Sequence, residues 1–312
     1  MISKRSIIAT AAMVITCGMW SLAPGAVAGE RIVVLLSSSE PPFENTLAGF
    51  QGYLAKQGVE AEYEVYPLAG DPSRAVQAVE KAKKRGTHLI FTLGSLGTDA
   101  VLKNIDDIPV VACLVLRTDN LARSPNATGV GLEFPLEIQF RWLQKMLPDA
   151  KTIGVIYNPD ENKQRVKEAA GIARGMGLSL EAQEVHSLRD IPDALKDLSR
   201  SADVLWGLAD SLVLSPQIAK HLLLFSFRNS IPFIGPSAAW VKAGALYSLD
   251  WDYTDMGMQC GEMAVQVLQG KRPNAIPAAS ARKVLYSVNL KTAQQIKVPI
   301  SEQLTKKALN IY

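Results

Sequence analysis

Five stretches place small, hydroxylated and acidic residues directly after apolar runs: Ser37-Ser38-Ser39-Glu40, Gly94-Ser95-Leu96, Asn158-Pro159-Asp160-Glu161, Ala209-Asp210-Ser211 and Gly235-Pro236-Ser237. Hydroxyls, carboxylates and backbone amides of this kind hydrogen-bond a small polar molecule. Each stretch, taken singly, is also open to reading as a helix cap. Together they do not compose a catalytic set. Gly94-Ser95-Leu96-Gly97 lacks the first glycine of a nucleophile elbow, because Leu93 stands in its place. Gly270-Lys271 is followed by Arg272 and is not a phosphate loop, and Ser37 to Pro42 holds no glycine for a dinucleotide fingerprint. His88 falls in a buried-strand pattern, His186 after an edge-like strand and His221 in the apolar helical stretch Gln217 to Phe225. None has a second histidine or a cysteine at metal-ligand spacing. The pair Asp250 and Asp252 suits orientation of backbone or ligand better than acid–base work. Binding without a cofactor or metal, rather than catalysis, is the expectation.

The elements that would position these loops alternate in type. Ile32 to Leu36, Leu89 to Thr92 and Val110 to Leu114 are short apolar runs, as expected of strands covered on both faces in a parallel sheet. Between them lies helix-like patterning such as Asp71 to Arg85, with Pro72 at the first turn and Gly86 after a basic end. Glu60 to Tyr66 alternates as an edge strand would. After Asn126-Ala127-Thr128-Gly129 the order begins again with Thr152 to Tyr157, Leu178 to Val185, Val204 to Leu208 and Phe233-Ile234. The fold class is therefore α/β, with two Rossmann-like βα lobes built on parallel sheets. In such sheets ligands sit beyond the carboxyl ends of the strands, which is where the five polar stretches fall.

Composition agrees with this reading. The chain has 312 residues, 48% hydrophobic and 20% charged, with a formal net charge of +3. A large core is affordable and an electrostatic grip on nucleic acid is not indicated. Residues 1–28 read as a secretory signal peptide: Lys4 and Arg5, the apolar run Ile7 to Thr16, then Ala26-Val27-Ala28. Cleavage before Cys17 to form a lipoprotein is the less favoured alternative, because Thr16 stands where a smaller residue is expected. A periplasmic location follows. Only Cys113 and Cys260 lie beyond that segment, one in a strand pattern and one in a helix pattern, and they read as buried thiols although one disulfide is permitted.

The chain resembles the substrate-binding proteins of ABC importers, in the family with a type I periplasmic binding fold that includes binders of aromatic amino acids. The resemblance is carried by Asn126-Ala127-Thr128-Gly129-Val130, Leu147-Pro148-Asp149-Ala150-Lys151, Gly154 to Pro159 with Glu161, Asp210, Ile231-Pro232, Gly244-Ala245, Asp252-Tyr253 with Gly257, Leu268 to Lys271 and Asn289. It implies a three-crossover hinge near Glu133, Asp250 and Ala279. Lobe one would comprise residues 29–132 plus 251–278, and lobe two 133–250 plus 279–312. It also implies that Ser38, Gly94 and Ser95 receive a carboxylate, that Glu161, Asp210 and Asp252 receive an ammonium group, and that Phe43, Trp251 and Tyr253 form apolar walls, Trp251 being equally open to a hinge-anchor role.

Two departures bear on the ligand rather than the fold. This chain has Glu161-Asn162-Lys163-Gln164 where the family commonly places Asn and Ser soon after the glutamate, and Asp210-Ser211 where it often has Asp-Asn. A neutral or anionic ligand then stays open, with Lys163 or Arg117 as candidate cations. The implied partners are a small molecule, an ABC permease and its ATPase; a chemoreceptor or sensor kinase is the alternative. Without a coiled-coil heptad or an exposed apolar helix, a monomer is expected. A ligand-responsive repressor of the same plan is opposed by the leader and by the lack of a leading helix-turn-helix.

Overall fold

The computed structural model describes residues 29–84, 86–116 and 118–312. The expected leader lies outside these residues, and so does Arg117. Among the described residues no helix is long and apolar enough to cross a membrane.

The first lobe is built from β1 (Glu30–Leu36), α1 (Pro41–Lys56), β2 (Ala61–Pro67), α2 (Pro72–Lys84), β3 (Leu89–Leu93), α3 (Ser95–Asn104), β4 (Val110–Val115), α4 (Asp119–Arg123) and β5 (Ala127–Gly131). The second begins with α5 (Leu136–Met146), β6 (Thr152–Tyr157), α6 (Pro159–Gly175) and β7 (Ser179–Glu184). It continues through α7 (Ile191–Leu198), β8 (Val204–Trp206), α8 (Pro216–Asn229), β9 (Phe233–Ile234), α9 (Ala238–Ala243) and β10 (Tyr247–Trp251). The chain then returns to the first lobe for α10 (Tyr253–Leu268) and β11 (Ala279–Ser280), and crosses back for β12 (Val284–Val288), α11 (Leu290–Gln295), α12 (Glu302–Lys306) and β13 (Asn310–Ile311).

One sheet has the order β11-β5-β4-β3-β1-β2 and the other β13-β12-β10-β9-β8-β6-β7. Every pairing is parallel except β10 with β12. That exception follows from connectivity, since β12 enters the second sheet from the first lobe instead of through a helical crossover.

Alternation along each strand loads both faces. Ile32, Val34 and Leu36 pack with Phe50, Met256 and Cys260, while Val33 and Leu35 pack with Ala75, Val79 and Val101 on the opposite face. The edge strand β2 is nowhere fully buried, and the alternation expected of it holds only to Tyr63: Glu64 is half-buried and Val65 is exposed. Helices α1 and α10 touch backbone to backbone. A Cβ on Gly257 would lie 2.0 Å from the Thr46 carbonyl oxygen, and one on Gly49 would lie 2.1 Å from that of Thr254. Cys113 in β4 and Cys260 in α10 are both buried free thiols.

The chain passes between the sheets after β5, after β10 and after β11. The third passage lies just beyond its expected place, because Ala279 and Ser280 still pair with Val130 and Gly131 of the first sheet. Trp251 likewise ends a strand of the second sheet, paired with Val284, although its ring packs in the first lobe's core. His88 is exposed rather than buried: it precedes β3, and its Nδ1 lies 2.6 Å from Glu30 Oε2.

Candidate functional site

A cavity of about 340 Å³ opens where the first passage, the end of β10 and the carboxyl ends of the second lobe's strands meet. Phe134, Phe140, Trp206, Tyr247 and Trp251 line it, together with the charged side chains Glu133, Glu161 and Arg165. The first lobe contributes Leu116, after β4, and Leu132, after β5.

The aromatic groups are fixed by one another. Phe134 stacks on Trp251 with centroids 5.1 Å apart and planes 5° from parallel, and Phe140 meets Trp206 edge-on at 5.4 Å. Trp206 Nε1 donates to Gln139 Oε1 at 3.1 Å, and Gln139 Nε2 donates to the Phe134 carbonyl at 2.8 Å. This chain of bonds ties β8, α5 and the first passage together behind the cavity. Trp251 Nε1 is buried with no acceptor among the described residues.

The polar groups come from α6 and the loops that face it. Arg165 Nη1 lies 2.6 Å from Glu133 Oε1, an ion pair that joins α6 to the first passage. Glu161 Oε2 accepts from the Ser211 amide at 3.0 Å and from its hydroxyl at 2.8 Å. Carboxylate, guanidinium and stacked rings within one cavity of this size suit a small zwitterion with an aromatic portion.

Of the residues proposed from sequence, Glu161 and Trp251 line this cavity. Asn158 caps α6, its Oδ1 accepting from the Asp160 amide at 3.1 Å. Asp210 is 3% exposed, and its carboxylate is occupied from within its own lobe. Oδ2 accepts from the Asn158 amide at 2.7 Å and from Asn162 Nδ2 at 2.9 Å, and Oδ1 from the amides of Leu212 and Val213. Ser237 precedes α9 without a side-chain capping bond. Asp252 caps α10 through the Asp255 amide at 3.0 Å and also bonds Lys283. Burial works against its charge, but those partners hold its carboxyl below the ordinary value. Tyr253 opens α10 with its ring 6.3 Å from that of Trp251, and burial pushes its hydroxyl up.

The first-lobe candidates gather at the ends of β1 and β3, away from the cavity lining. Gly94 has φ +91°, and a Cβ there would lie 2.9 Å from Ser37 Oγ and 3.0 Å from Phe43 Cε1, so glycine is needed where these two side chains close in. Ser95 begins α3. Ser38 Oγ accepts from the Glu40 amide at 3.2 Å within a local turn.

Sequence reading missed Phe134, Gln139, Phe140, Trp206, Tyr247 and Arg165. The available signals were the neighbouring passage at Glu133 and the position of Trp206 at the end of an apolar run. Lys163, one of the two cations considered, is exposed outside the lining, and Arg165 takes the place by the cavity.

Residues 31–311 match the profile of a family described as ABC transporter substrate binding protein. The chain is 26% identical over 221 residues to a tyrosine-binding protein of Clostridioides difficile, an alignment covering 67% of this chain and 62% of that protein. Its fold is similar to that of an ABC domain from Streptococcus pneumonia in complex with L-Trp, at 24% identity and a TM-score of 0.62, covering 91% of this chain and 100% of the other. It is also similar to the ligand-free, open structure of a substrate binding protein with adhesive properties from Clostridium difficile. There the identity is 23% and the TM-score 0.77, with 90% of this chain and 98% of the other covered.

Proposed function

The chain belongs to the ABC transporter substrate-binding protein family, whose type I periplasmic fold it has, and from that premise we propose that it captures an aromatic amino acid in the periplasm for delivery to a membrane permease. The family is one of solute binders rather than enzymes.

The observation that carries this reading is the pairing of an aromatic wall with charges of both signs in a single cavity of about 340 Å³. Phe134, Trp206 and Trp251 offer faces and edges to an aromatic side chain. Glu133 and Glu161 offer carboxylates to its ammonium group, and Arg165 offers a guanidinium to its carboxylate. An acceptor on the ligand that reached Trp251 Nε1 would satisfy a buried donor that has no partner among the described residues. The named ligands of the tyrosine-binding relative and of the L-Trp complex support the same class. Capture requires contacts that exist only when the lobes close, since only a difference in affinity between open and closed states shifts their populations.

A thermal-shift screen of the mature protein against amino acids, sugars, nucleosides and small carboxylates tests this directly, because a ligand of the folded state raises the melting temperature. Stabilisation by tryptophan, tyrosine or phenylalanine is expected. A rise confined to sugars or nucleosides would keep the family and overturn the ligand.

A further inference from the structure

We propose that Leu116, presented by a bulge in β4, is the contact through which the first lobe closes over the ligand's ring. This inference rests on the aromatic-ligand reading of the cavity. Whereas β4 itself is buried throughout, Leu116 directly after it is 69% exposed and lines the cavity. A lone exposed leucine is ordinary on a protein surface. What sets this one apart is the backbone that holds it.

Along β4 the side chains alternate between the two cores of the first lobe: Val110 and Ala112 on one face, Val111 and Cys113 on the other. At Leu114 the alternation breaks. The register with β5 shifts between Cys113 and Val115, and Leu114 adopts φ +57°, a left-handed conformation unfavourable to a branched side chain. Leu114 therefore packs on the same face as Cys113, and Val115 falls to the opposite face. One inserted residue reverses the facing of everything after it. Leu116 consequently emerges on the side where Phe134 and Trp251 pack, rather than over α2 and α3. Strain kept beside a binding cavity points to a positional demand on the residue it aims. Leu132, the other first-lobe residue in the lining, follows β5 and leads directly into the first passage, whereas Leu116 follows β4, from which the chain continues within the first lobe.

The test is stopped-flow and equilibrium binding of L-tryptophan to the wild type, Leu116→Ala, Leu116→Met and Leu224→Ala, the last an exposed leucine on α8 outside the cavity. A contact made only on closure weakens the complex through its lifetime. Leu116→Ala is expected to raise Kd about tenfold, almost wholly in the dissociation rate, as loss of a buried leucine contact allows. Leu116→Met should recover most of that loss, and Leu224→Ala should behave as wild type. Wild-type binding with unchanged kinetics in Leu116→Ala overturns the role of Leu116 and leaves the cavity assignment intact. A wild type that binds none of tryptophan, tyrosine and phenylalanine overturns both.

Discussion

Removing the Asp210 carboxylate would strand four donors inside the second lobe, two of them the amides that begin the turn after β8. An unpaired buried donor costs about 1–3 kcal/mol, so Asp210→Ala is expected to lower unfolding stability by about 3 kcal/mol or more in a urea titration. An unchanged midpoint with weakened ligand binding would instead make Asp210 a ligand contact. Asp250 behaves oppositely. Burial pushes its carboxyl above the ordinary range, against hydrogen bonds from Ser287, Ser248 and the Ala238 amide. A raised folded pKa means that stability is lost as pH climbs from the unfolded value through the folded one. Asp250→Asn keeps an acceptor without the charge, so the melting temperature of the variant relative to wild type should rise as pH moves from about 3 to neutrality, where an unperturbed Asp is ionised. A flat difference would mean that the site does not resist ionisation. The polar residues after the strands were visible in the sequence, but the direction of their side chains was not. Asp210 and Asn158 turn inward to brace and cap their own lobe, and spacing alone does not distinguish that from turning outward to a ligand.

At the level of elements, α1 and α10 depend on glycine for their approach. Gly257→Ala would drive a methyl into the Thr46 carbonyl, where the obstacle is backbone that cannot rotate away. A loss of about 1–3 kcal/mol or more is expected from such overpacking. Gly52→Ala on α1, where a Cβ meets nothing within 4 Å, should be neutral or stabilising in the same denaturation assay. Equal effects would mean that the two helices are not held at this separation. The inner strands were legible as continuous apolar runs, and the helices because their buried positions recur every three or four residues, as at Leu136, Phe140, Leu143 and Met146 of α5. The bulge in β4 was not, since Val110 to Val115 is apolar at every position and carries no mark of where the alternation breaks. The cavity aromatics were hidden for a related reason. Trp206 closes a buried strand and Phe140 lies on the buried stripe of α5, so both read as ordinary core.

Across the whole molecule, the repeated order of strands and helices already specified two lobes, because each half carries its own set of doubly buried strands. Where the ligand would sit was less visible, since the cavity gathers residues from a passage between lobes, from α5 and α6 and from β10, which are far apart in sequence. The third passage is fastened to the first lobe by Arg282, which pairs with Asp255 at 3.0 Å and Glu262 at 2.8 Å on α10. In the proposed capture, closure would fall to the backbone between these fixed points, as in other hinged domains. The decisive measurement is calorimetric titration of the wild type and Trp206→Ala with L-tyrosine and L-tryptophan. Saturable one-to-one binding by the wild type, weakened at least about tenfold in the variant by loss of an aromatic contact in the cavity, is the expected result. Absence of binding to either amino acid, or binding indifferent to Trp206, would contradict the assignment of this cavity as the ligand site.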